Sequence, residues 1–228
     1  MGTEFDSGTI FLINFEFMKL TIIGASAGVG LACVTRALDR GHQVTTLSRS
    51  TESLKPHANL TMLKGNATQP EDLKKAMQGA DVVLVALGTG TSMKPTTLYT
   101  DAAQALIQAQ QDLKLDVPFI VLTGFGAGES GQFHANFLLK MFFRFMLKDV
   151  YANKTEMEGM IAKSPLRHMF VRPGVLTNKP LTEHYRVETE YRNGMNIGSI
   201  PRADVADFMV KQAENPTYLG KNPALSGK

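Results

Sequence analysis

The feature that most constrains this chain is a short apolar run joined to a helical run by glycines. Leu20–Ile23 is apolar and largely β-branched, and Gly24, Gly28 and Gly30 follow it before apolar residues recur at helical spacing over 31–38. Such a run is typical of a strand buried on both faces of a parallel sheet. Glycines let the backbone approach a bound group, and the first N–H groups of a helix favour an anion. The segment therefore predicts a strand, a turn and a helix that hold the pyrophosphate of a dinucleotide.

Strand-like and helix-like patterns alternate along the rest of the chain. Further strands are predicted at 43–48, 60–64, 81–87, 118–123 and 168–172. Helices are predicted at 69–78, 95–111, 130–148, 150–162 and 202–214, and Gly41 is expected to end the first helix. Because the connections are short, the pattern predicts an α/β fold. We expect one doubly wound, mostly parallel sheet with helices on both faces.

Composition narrows the classes of function. The 228 residues suffice for one core, and the net charge of +3 comes from scattered residues, so no nucleic-acid surface is expected. The five histidines share no metal-ligand spacing, so no metal site is expected. The single cysteine, Cys33, falls on the apolar face of the first helix and is interpreted as core packing.

The first seventeen residues depart from the alternation that follows. Residues 1–17 are interpreted as a leader or upstream extension, with Met18 as the natural start and 18–228 as the dinucleotide-binding domain. The apolar run Ile10–Ile13 is too short to span a bilayer and has acidic neighbours. We therefore expect a soluble, cytoplasmic protein without an integral membrane span.

Residues that follow the strands are expected to meet the ligand, because ligands bind at the carboxyl ends of the strands in open α/β sheets. Ser48, Arg49 and Ser50 follow the second strand, where an acidic residue would suit the ribose of NAD. A guanidinium instead suits a 2′-phosphate, so NADP (as NADPH) is favoured and NAD is less favoured. A solvated surface arginine is the alternative.

Two later strands end in small or amide residues. Asn66 and Ala67 follow the third strand, and they are predicted to lie against the adenine or, alternatively, to begin the next helix. Ala86, Leu87 and Gly88 follow the fourth strand and are small enough for a ribose to pass close to the backbone.

With these motifs in register, the chain resembles the short-chain dehydrogenase/reductase superfamily, in particular its atypical NAD(P)H-binding, NmrA-like members. It is most similar to the biliverdin-IXβ reductase/flavin reductase group and its bacterial relatives, and the likeness extends from Met18 to the C-terminus. The segments that carry it are Gly24–Gly30, Leu84–Thr89, Lys94–Thr97, Val171–Gly174, Pro180–Thr182 with Tyr185, and Asp204–Met209.

The resemblance implies a Rossmann-type domain that transfers hydride. In the superfamily a Ser or Thr, a Tyr and a Lys position and protonate the substrate oxygen, and Thr123, Tyr151 and Lys154 match these types. The usual interval is Tyr-x-x-x-Lys, whereas Tyr151 and Lys154 are three residues apart, and Gly124 stands where the flavin reductases have a serine. A helix-surface pair is the alternative for Tyr151 and Lys154.

The resemblance also implies that the backbone after Arg172 meets the nicotinamide carboxamide. Tyr185 is expected either to contact substrate or to pack on the sheet edge. The cofactor-binding set expected from motif and resemblance together comprises Gly24, Ser26, Ala27, Gly28, Val29, Gly30, Ser48, Arg49, Ser50, Asn66, Ala67, Ala86, Leu87, Gly88, Thr123, Lys154, Pro173, Gly174 and Val175.

Three hypotheses of function follow. The leading one is an NADP-dependent oxidoreductase, monomeric or homodimeric, that delivers hydride to a flat, conjugated small-molecule acceptor such as a flavin, quinone or tetrapyrrole. The second is a carbonyl reductase or sugar-nucleotide epimerase that uses Thr123, Tyr151 and Lys154. The third is a regulator that senses NADP without turnover. Fold alone does not choose among the three.

The segment 132–148 is too apolar for an ordinary surface helix. Core packing is the default interpretation, and a substrate lid or a subunit interface are the alternatives. Lys140, Arg144 and Lys148 recur along one face, which is more typical of a solvated stripe than of a membrane surface.

Overall fold

The computed structural model describes residues 17–90, 92, 94–133, 147–195 and 197–228. Within these ranges the chain forms ten strands and five α-helices. The strands are β1 (Lys19–Ile23), β2 (Gln43–Ser48), β3 (Leu60–Lys64), β4 (Val82–Val85), β5 (Pro118–Leu122), β6 (Arg167–Pro173), β7 (Val175–Thr177), β8 (Tyr185–Glu188), β9 (Ser199–Pro201) and β10 (Ala224–Gly227). The helices are α1 (Gly28–Asp39), α2 (Pro70–Met77), α3 (Leu98–Leu113), α4 (Lys148–Ala162) and α5 (Arg202–Glu214).

Eight strands form the central sheet in the order β3-β2-β1-β4-β5-β6-β10-β8. Every neighbouring pair is parallel except β10 with β8, which is an antiparallel edge pair. β7 and β9 form a separate parallel pair. The predicted single, mostly parallel sheet is thus confirmed, and the carboxyl ends of β1, β4, β5 and β6 lie at one edge.

Helices cover both faces of the sheet, as the alternation of strands and helices predicted. On one face, Leu84 joins a buried cluster with residues of α1 and α5, such as Cys33 and Phe208. On the other, Val83 joins a cluster with residues of α2, α3 and α4. Adjacent strand residues therefore serve opposite faces, which is why β4 is apolar throughout.

Several element boundaries and the burial of the cysteine agree with the predictions from the sequence. β2, β3 and α5 have the predicted bounds. Gly41 lies just beyond α1 with a φ of +84°, and its N–H donates to Leu38 O at 2.9 Å. Cys33 is completely buried, and burial raises the pKa of its thiol to about 12, in keeping with core packing.

The predicted helix at 130–148 is wrong at its start. The first residues of the predicted range, up to Gln132, belong instead to a 3₁₀ turn, Gly128–Gln132. Residues 134–146 of that prediction, which include Lys140 and Arg144, lie outside the described residues, as does the predicted leader except Phe17. Lys148 is the first residue of α4. β7 to β10 were not predicted from the sequence.

In the described ranges, each helix is too short or too polar to cross a bilayer. In the same ranges, no three His, Cys, Asp or Glu side chains lie close enough together to hold a metal ion.

Candidate cofactor and catalytic site

The turn after β1 can be built only from glycine at two positions. Gly24 has a φ of +86°, and a Cβ on it would lie 2.7 Å from the backbone oxygen of Ala86, the residue after β4. A Cβ on Gly30 would lie 2.0 Å from Gly24 O, so α1 packs directly on the turn. These glycines bring the start of α1 to the carboxyl edge of β1 and β4.

The N-terminus of α1 fits the phosphates of a dinucleotide. Its N-cap residue, Ala27, makes no side-chain capping bond, and the first turn contains no acidic residue. The first backbone N–H groups of α1 consequently keep their hydrogen-bonding capacity, and the helix dipole favours negative charge there. Ser26, Ala27, Gly28, Val29 and Gly30, predicted to bind cofactor, occupy this turn.

The end of β2 forms the neighbouring wall. Ser48 is buried, and its Oγ accepts the N–H of Ala25 at 2.9 Å, so this side chain fixes the glycine turn. Arg49 is exposed and forms no ion pair with any described residue. The Oγ of Ser50 accepts the N–H of Glu52 at 3.3 Å. Of the three predicted residues, Arg49 has the side chain that remains available to a ligand.

The ends of β3 and β4 also reach this edge. The Oδ1 of Asn66 accepts the N–H of Thr68 at 3.1 Å, and its backbone N–H donates to Asp72 at 2.9 Å, so this amide shapes the approach to α2. Ala67 and Ala86 are buried. Leu87 is partly buried and Gly88 is exposed. These two form the surface along which a ribose was predicted to pass.

Lys154 of α4 lies at the carboxyl end of β5. Its Nζ donates to the backbone oxygen of Thr123 at 2.6 Å and lies 5.2 Å and 5.3 Å from the ring centres of Tyr99 and Tyr151. Burial lowers the pKa of this ammonium to about 8. The hydroxyl of Thr123 is buried and has no hydrogen-bond partner among the described residues. The ammonium is therefore placed to meet a ligand at this edge, whereas the buried Thr123 hydroxyl is covered by protein.

Tyr151 approaches the same strand end from one turn earlier on α4. A Cβ on Gly124, whose φ is +150°, would lie 2.9 Å from Oη of Tyr151. The phenol thus occupies the space into which a serine at 124 would project. Burial, and then the nearby Tyr99, raise the pKa of Tyr151 above its ordinary value. The structure therefore brings Thr123, Tyr151 and Lys154 together despite the short interval between tyrosine and lysine.

Asn153, which the sequence did not single out, holds α4 in this position. Its Oδ1 accepts the N–H of Tyr99 at 3.0 Å, and its Nδ2 donates to Thr100 Oγ1 at 2.9 Å. This side chain ties the first turn of α3 to α4. The Tyr99 ring is consequently fixed beneath Lys154.

The predicted nicotinamide end follows β6. The N–H of Gly174 donates to Leu225 O at 2.9 Å, and a Cβ on Gly174 would lie 2.0 Å from Gly198 O. Val175 follows with 47% of its surface exposed, an apolar side chain left open at this edge. Tyr185 lies instead at the sheet edge, where its phenol donates to Asp207 at 2.8 Å and its ring meets Phe208 edge to face.

Arg172 of β6 is the centre of a buried ion network. Arg172 is 1% exposed, and its guanidinium donates to both oxygens of Glu129, to both oxygens of Glu158, and to Tyr191 Oη. The Tyr191 hydroxyl donates in turn to Asn222 O. All five guanidinium N–H groups are therefore satisfied. The sequence carried no signal for this network, since its partners lie 14 to 50 residues from Arg172.

A second unpredicted arginine lies over the glycine turn. Arg202 is the first residue of α5, and its Nη1 donates to Asn178 Oδ1 at 2.8 Å. A Cβ on Gly28 would lie 3.9 Å from Arg202 Nε, so the guanidinium borders the start of α1. Only the fold brings these residues together, because they are far apart in the sequence.

Comparisons with known proteins agree with this geometry. A sequence model of a family described as NAD(P)H-binding matches residues 24–216. The chain is 25% identical to the oxidase pynE of Aspergillus niger, over 85% of this chain and 92% of that protein.

Two solved structures show the same architecture. A short-chain dehydrogenase/reductase of Veillonella parvula in complex with NADP has a TM-score of 0.77 at 19% identity, covering 92% of this chain and 94% of that one. ChuY of Escherichia coli O157:H7, described as an anaerobillin reductase, has a TM-score of 0.75 at 20% identity, covering 91% and 96%. The resemblance to NAD(P)H-binding oxidoreductases predicted from the sequence is confirmed at the level of family and fold.

Proposed function

Since the chain belongs to the NAD(P)H-binding family, we propose that it is an NADPH-dependent oxidoreductase that transfers hydride to a flat, conjugated acceptor. The acceptor would be a flavin, a quinone or a tetrapyrrole. The observation that carries this proposal is the presence of two complementary groups at one edge of the sheet. The open N-terminus of α1 follows β1, and the Lys154 ammonium is held at the end of β5.

Each group has a part in the proposed reaction. A nicotinamide coenzyme supplies the hydride when it is bound. The N–H groups of α1 would bind its diphosphate, and Lys154, held by the Thr123 carbonyl, would donate to ribose hydroxyls. The exposed Val175 would offer an apolar contact beside the ring.

The weak acidity of Tyr151 and the exposed apolar surface favour a conjugated acceptor. A phenol whose pKa is raised is a weaker acid, so Tyr151 is poorly suited to protonate a single developing alkoxide. A conjugated acceptor spreads the added charge and takes its proton from solvent. Val175, which is 47% exposed and follows β6, provides apolar contact area for a flat molecule. ChuY shows that this fold carries reductases.

Carbonyl reduction is a second candidate, favoured by the cluster at β5. Tyr151 Oη adjoins Gly124, and the Lys154 ammonium lies 5.3 Å from the Tyr151 ring centre. A substrate carbonyl at this point would have a phenol and a cation close by. The Thr123 hydroxyl could assist only if the side chains that cover it moved.

Tyr151→Phe distinguishes the two candidates. Hydride delivery to a conjugated acceptor should continue within a few-fold of wild type, whereas carbonyl reduction should fall roughly a hundredfold or more, as for loss of a general acid. The measurement is steady-state NADPH oxidation with a panel of quinones, flavins, aldehydes and ketones. Tyr218→Phe is the matched control, because Tyr218 packs on Phe208 of α5. Tight NADPH binding without turnover across the panel would reject both candidates and favour a sensor.

Arg49→Ala tests the choice of NADPH over NADH. The exposed guanidinium should bind the 2′-phosphate, so the variant should bind NADPH roughly tenfold or more weakly and bind NADH as wild type does. Quenching of nicotinamide fluorescence measures both affinities. Arg167→Ala removes an equal charge at the opposite edge of the sheet, where Arg167 pairs with Asp116 at 3.5 Å, and should change neither. Equal weakening of both cofactors in Arg49→Ala would contradict the assignment.

A further inference from the structure

Arg202 borders the start of α1, where the diphosphate of a dinucleotide is proposed to bind. Its Nε is 3.9 Å from the position of a Cβ on Gly28, the first residue of α1. Gly28 carries no side chain, so the guanidinium and the first turn of α1 border the same space. α5 begins at Arg202 and α1 at Gly28, which brings the start of each helix to this point.

The electrostatic environment of Arg202 differs from that of the arginines that form ion pairs within the fold. Arg36 pairs with Asp207, Arg40 with Glu214, and Arg172 with Glu129 and Glu158. Among the described residues Arg202 has no carboxylate partner, and the hydrogen bond it makes is to the neutral amide of Asn178. Its charge is therefore not neutralised by the described part of the protein.

We infer that Arg202 is a diphosphate-binding residue, which closes over the phosphates from the side opposite the N–H groups of α1. The inference rests on the proposed function, because it takes the ligand at α1 to be a dinucleotide. A guanidinium matches the oxygens of a phosphate with two parallel N–H groups. The bond to Asn178 uses Nη1, so the edge formed by Nε and Nη2 is the one that would face the phosphates. Arg202 and Arg49 then bind different phosphate groups of the ligand. Arg202 reads the diphosphate common to NADPH and NADH, and Arg49 reads the 2′-phosphate that only NADPH has.

Arg202 could instead serve only to anchor the segment after β7 through Asn178. The two roles give different results in Asn178→Ala, which removes the anchor and leaves the guanidinium. With diphosphate binding, Asn178→Ala should retain cofactor affinity within about threefold, while Arg202→Ala loses about tenfold or more. With anchoring alone, the two variants should lose affinity equally.

The experiment measures dissociation constants of wild type, Arg202→Ala, Asn178→Ala and Arg49→Ala for four ligands. NADPH and NADH are titrated by fluorescence, and ADP-ribose and adenosine 2′-monophosphate by competition against NADPH. Arg202→Ala should weaken NADPH, NADH and ADP-ribose by about the same factor, roughly tenfold or more, and leave adenosine 2′-monophosphate unchanged. Arg49→Ala should weaken NADPH and adenosine 2′-monophosphate alone.

Arg167→Ala controls for the loss of one positive charge, and thermal unfolding of each variant controls for folding. Wild-type affinity of a folded Arg202→Ala protein for NADH and ADP-ribose would overturn the inference and leave the proposed function intact. Failure of wild type to bind either dinucleotide would overturn both. If Arg202→Ala does not fold, Arg202→Gln replaces it, and unchanged ADP-ribose affinity in that variant counts against the inference in the same way.

Discussion

Lys154→Met is expected to reduce NADPH oxidation at pH 7 by about a hundredfold or more, the usual effect of removing one preorganised electrostatic contact from an active site. Methionine keeps most of the length of the side chain and removes the ammonium that donates to Thr123 O. The ribose would lose its cationic partner, and the Tyr151 phenol would lose its neighbouring charge. Steady-state rates with the best acceptor, together with NADPH affinity, measure the effect.

The same variant should unfold at a temperature no lower than wild type at pH 7. Burial lowers the pKa of Lys154 to about 8 from its ordinary 10.5, so below pH 8 the folded protein contains a charge that burial disfavours. Between pH 8 and 10.5 the unfolded chain binds the proton more readily than the folded one. In that window the stability of wild type therefore rises relative to Lys154→Met. Thermal unfolding at pH 7 and at pH 10 gives the two differences.

Activity should have the opposite dependence on pH. If the ammonium binds the cofactor, wild-type kcat/KM should decline as pH rises through about 8, where Lys154 loses its proton. Lys163→Met, at the exposed C-terminal end of the same helix, is the control and should retain both the rate and its pH profile. A Lys154→Met protein that is as active as wild type, or clearly less stable at pH 7, would contradict the assigned role.

The parts of the fold that sequence predicted are those with a strong local signal. β2 and β3 have their predicted bounds because apolar and polar residues bounded by turns define each of them locally. The turn after β1 was predictable since Gly24 and Gly30 are required by backbone contacts that leave no room for a side chain. β8 and β10 were missed because they are short strands at one end of the sheet, and their pairing depends on residues far away in the chain.

The residues of the candidate site were named one by one from the sequence, but their arrangement was not predicted. Thr123, Tyr151 and Lys154 were identified by type and order, yet the feature that unites them is the approach of the Tyr151 phenol to Gly124. No spacing rule expresses that contact, because it depends on how α4 packs against β5. The position of Arg202 and the ion network of Arg172 were missed for the same reason, since each side chain meets partners from distant segments.

Arg172→Met is expected to lower the free energy of unfolding by about 3 to 5 kcal/mol, the usual effect of breaking a buried ion pair by removing one partner. Glu158 is 5% exposed, and without the guanidinium its carboxylate would remain buried and unpaired. Glu129 is half-exposed and can recover water, so most of the loss should come from Glu158. Urea unfolding at pH 7 measures the change.

The double variant Arg172→Met with Glu158→Leu tests that explanation. Removing the stranded carboxylate should restore much of the lost stability, because a buried pair replaced by apolar groups of similar volume is often neutral or better. Arg186→Met is the control for loss of an exposed arginine, whose pair with Glu188 spans 3.9 Å, and it should change stability by less than about 1 kcal/mol. If the double variant is as unstable as Arg172→Met, the lost stability does not come from the buried Glu158 carboxylate.

Acid titration gives an independent test of the same network. The hydrogen bonds from Arg172 lower the pKa of Glu129 to about 2 from its ordinary 4.5. A carboxylate with a lowered folded pKa adds stability that is present above pH 4.5 and is lost as pH falls from there towards 2. Wild type should lose stability through this window, and Arg172→Met should lose less of it, since Glu129 then titrates nearly alike in the folded and unfolded chains. Identical acid profiles would show that Glu129 is not held by Arg172 in solution.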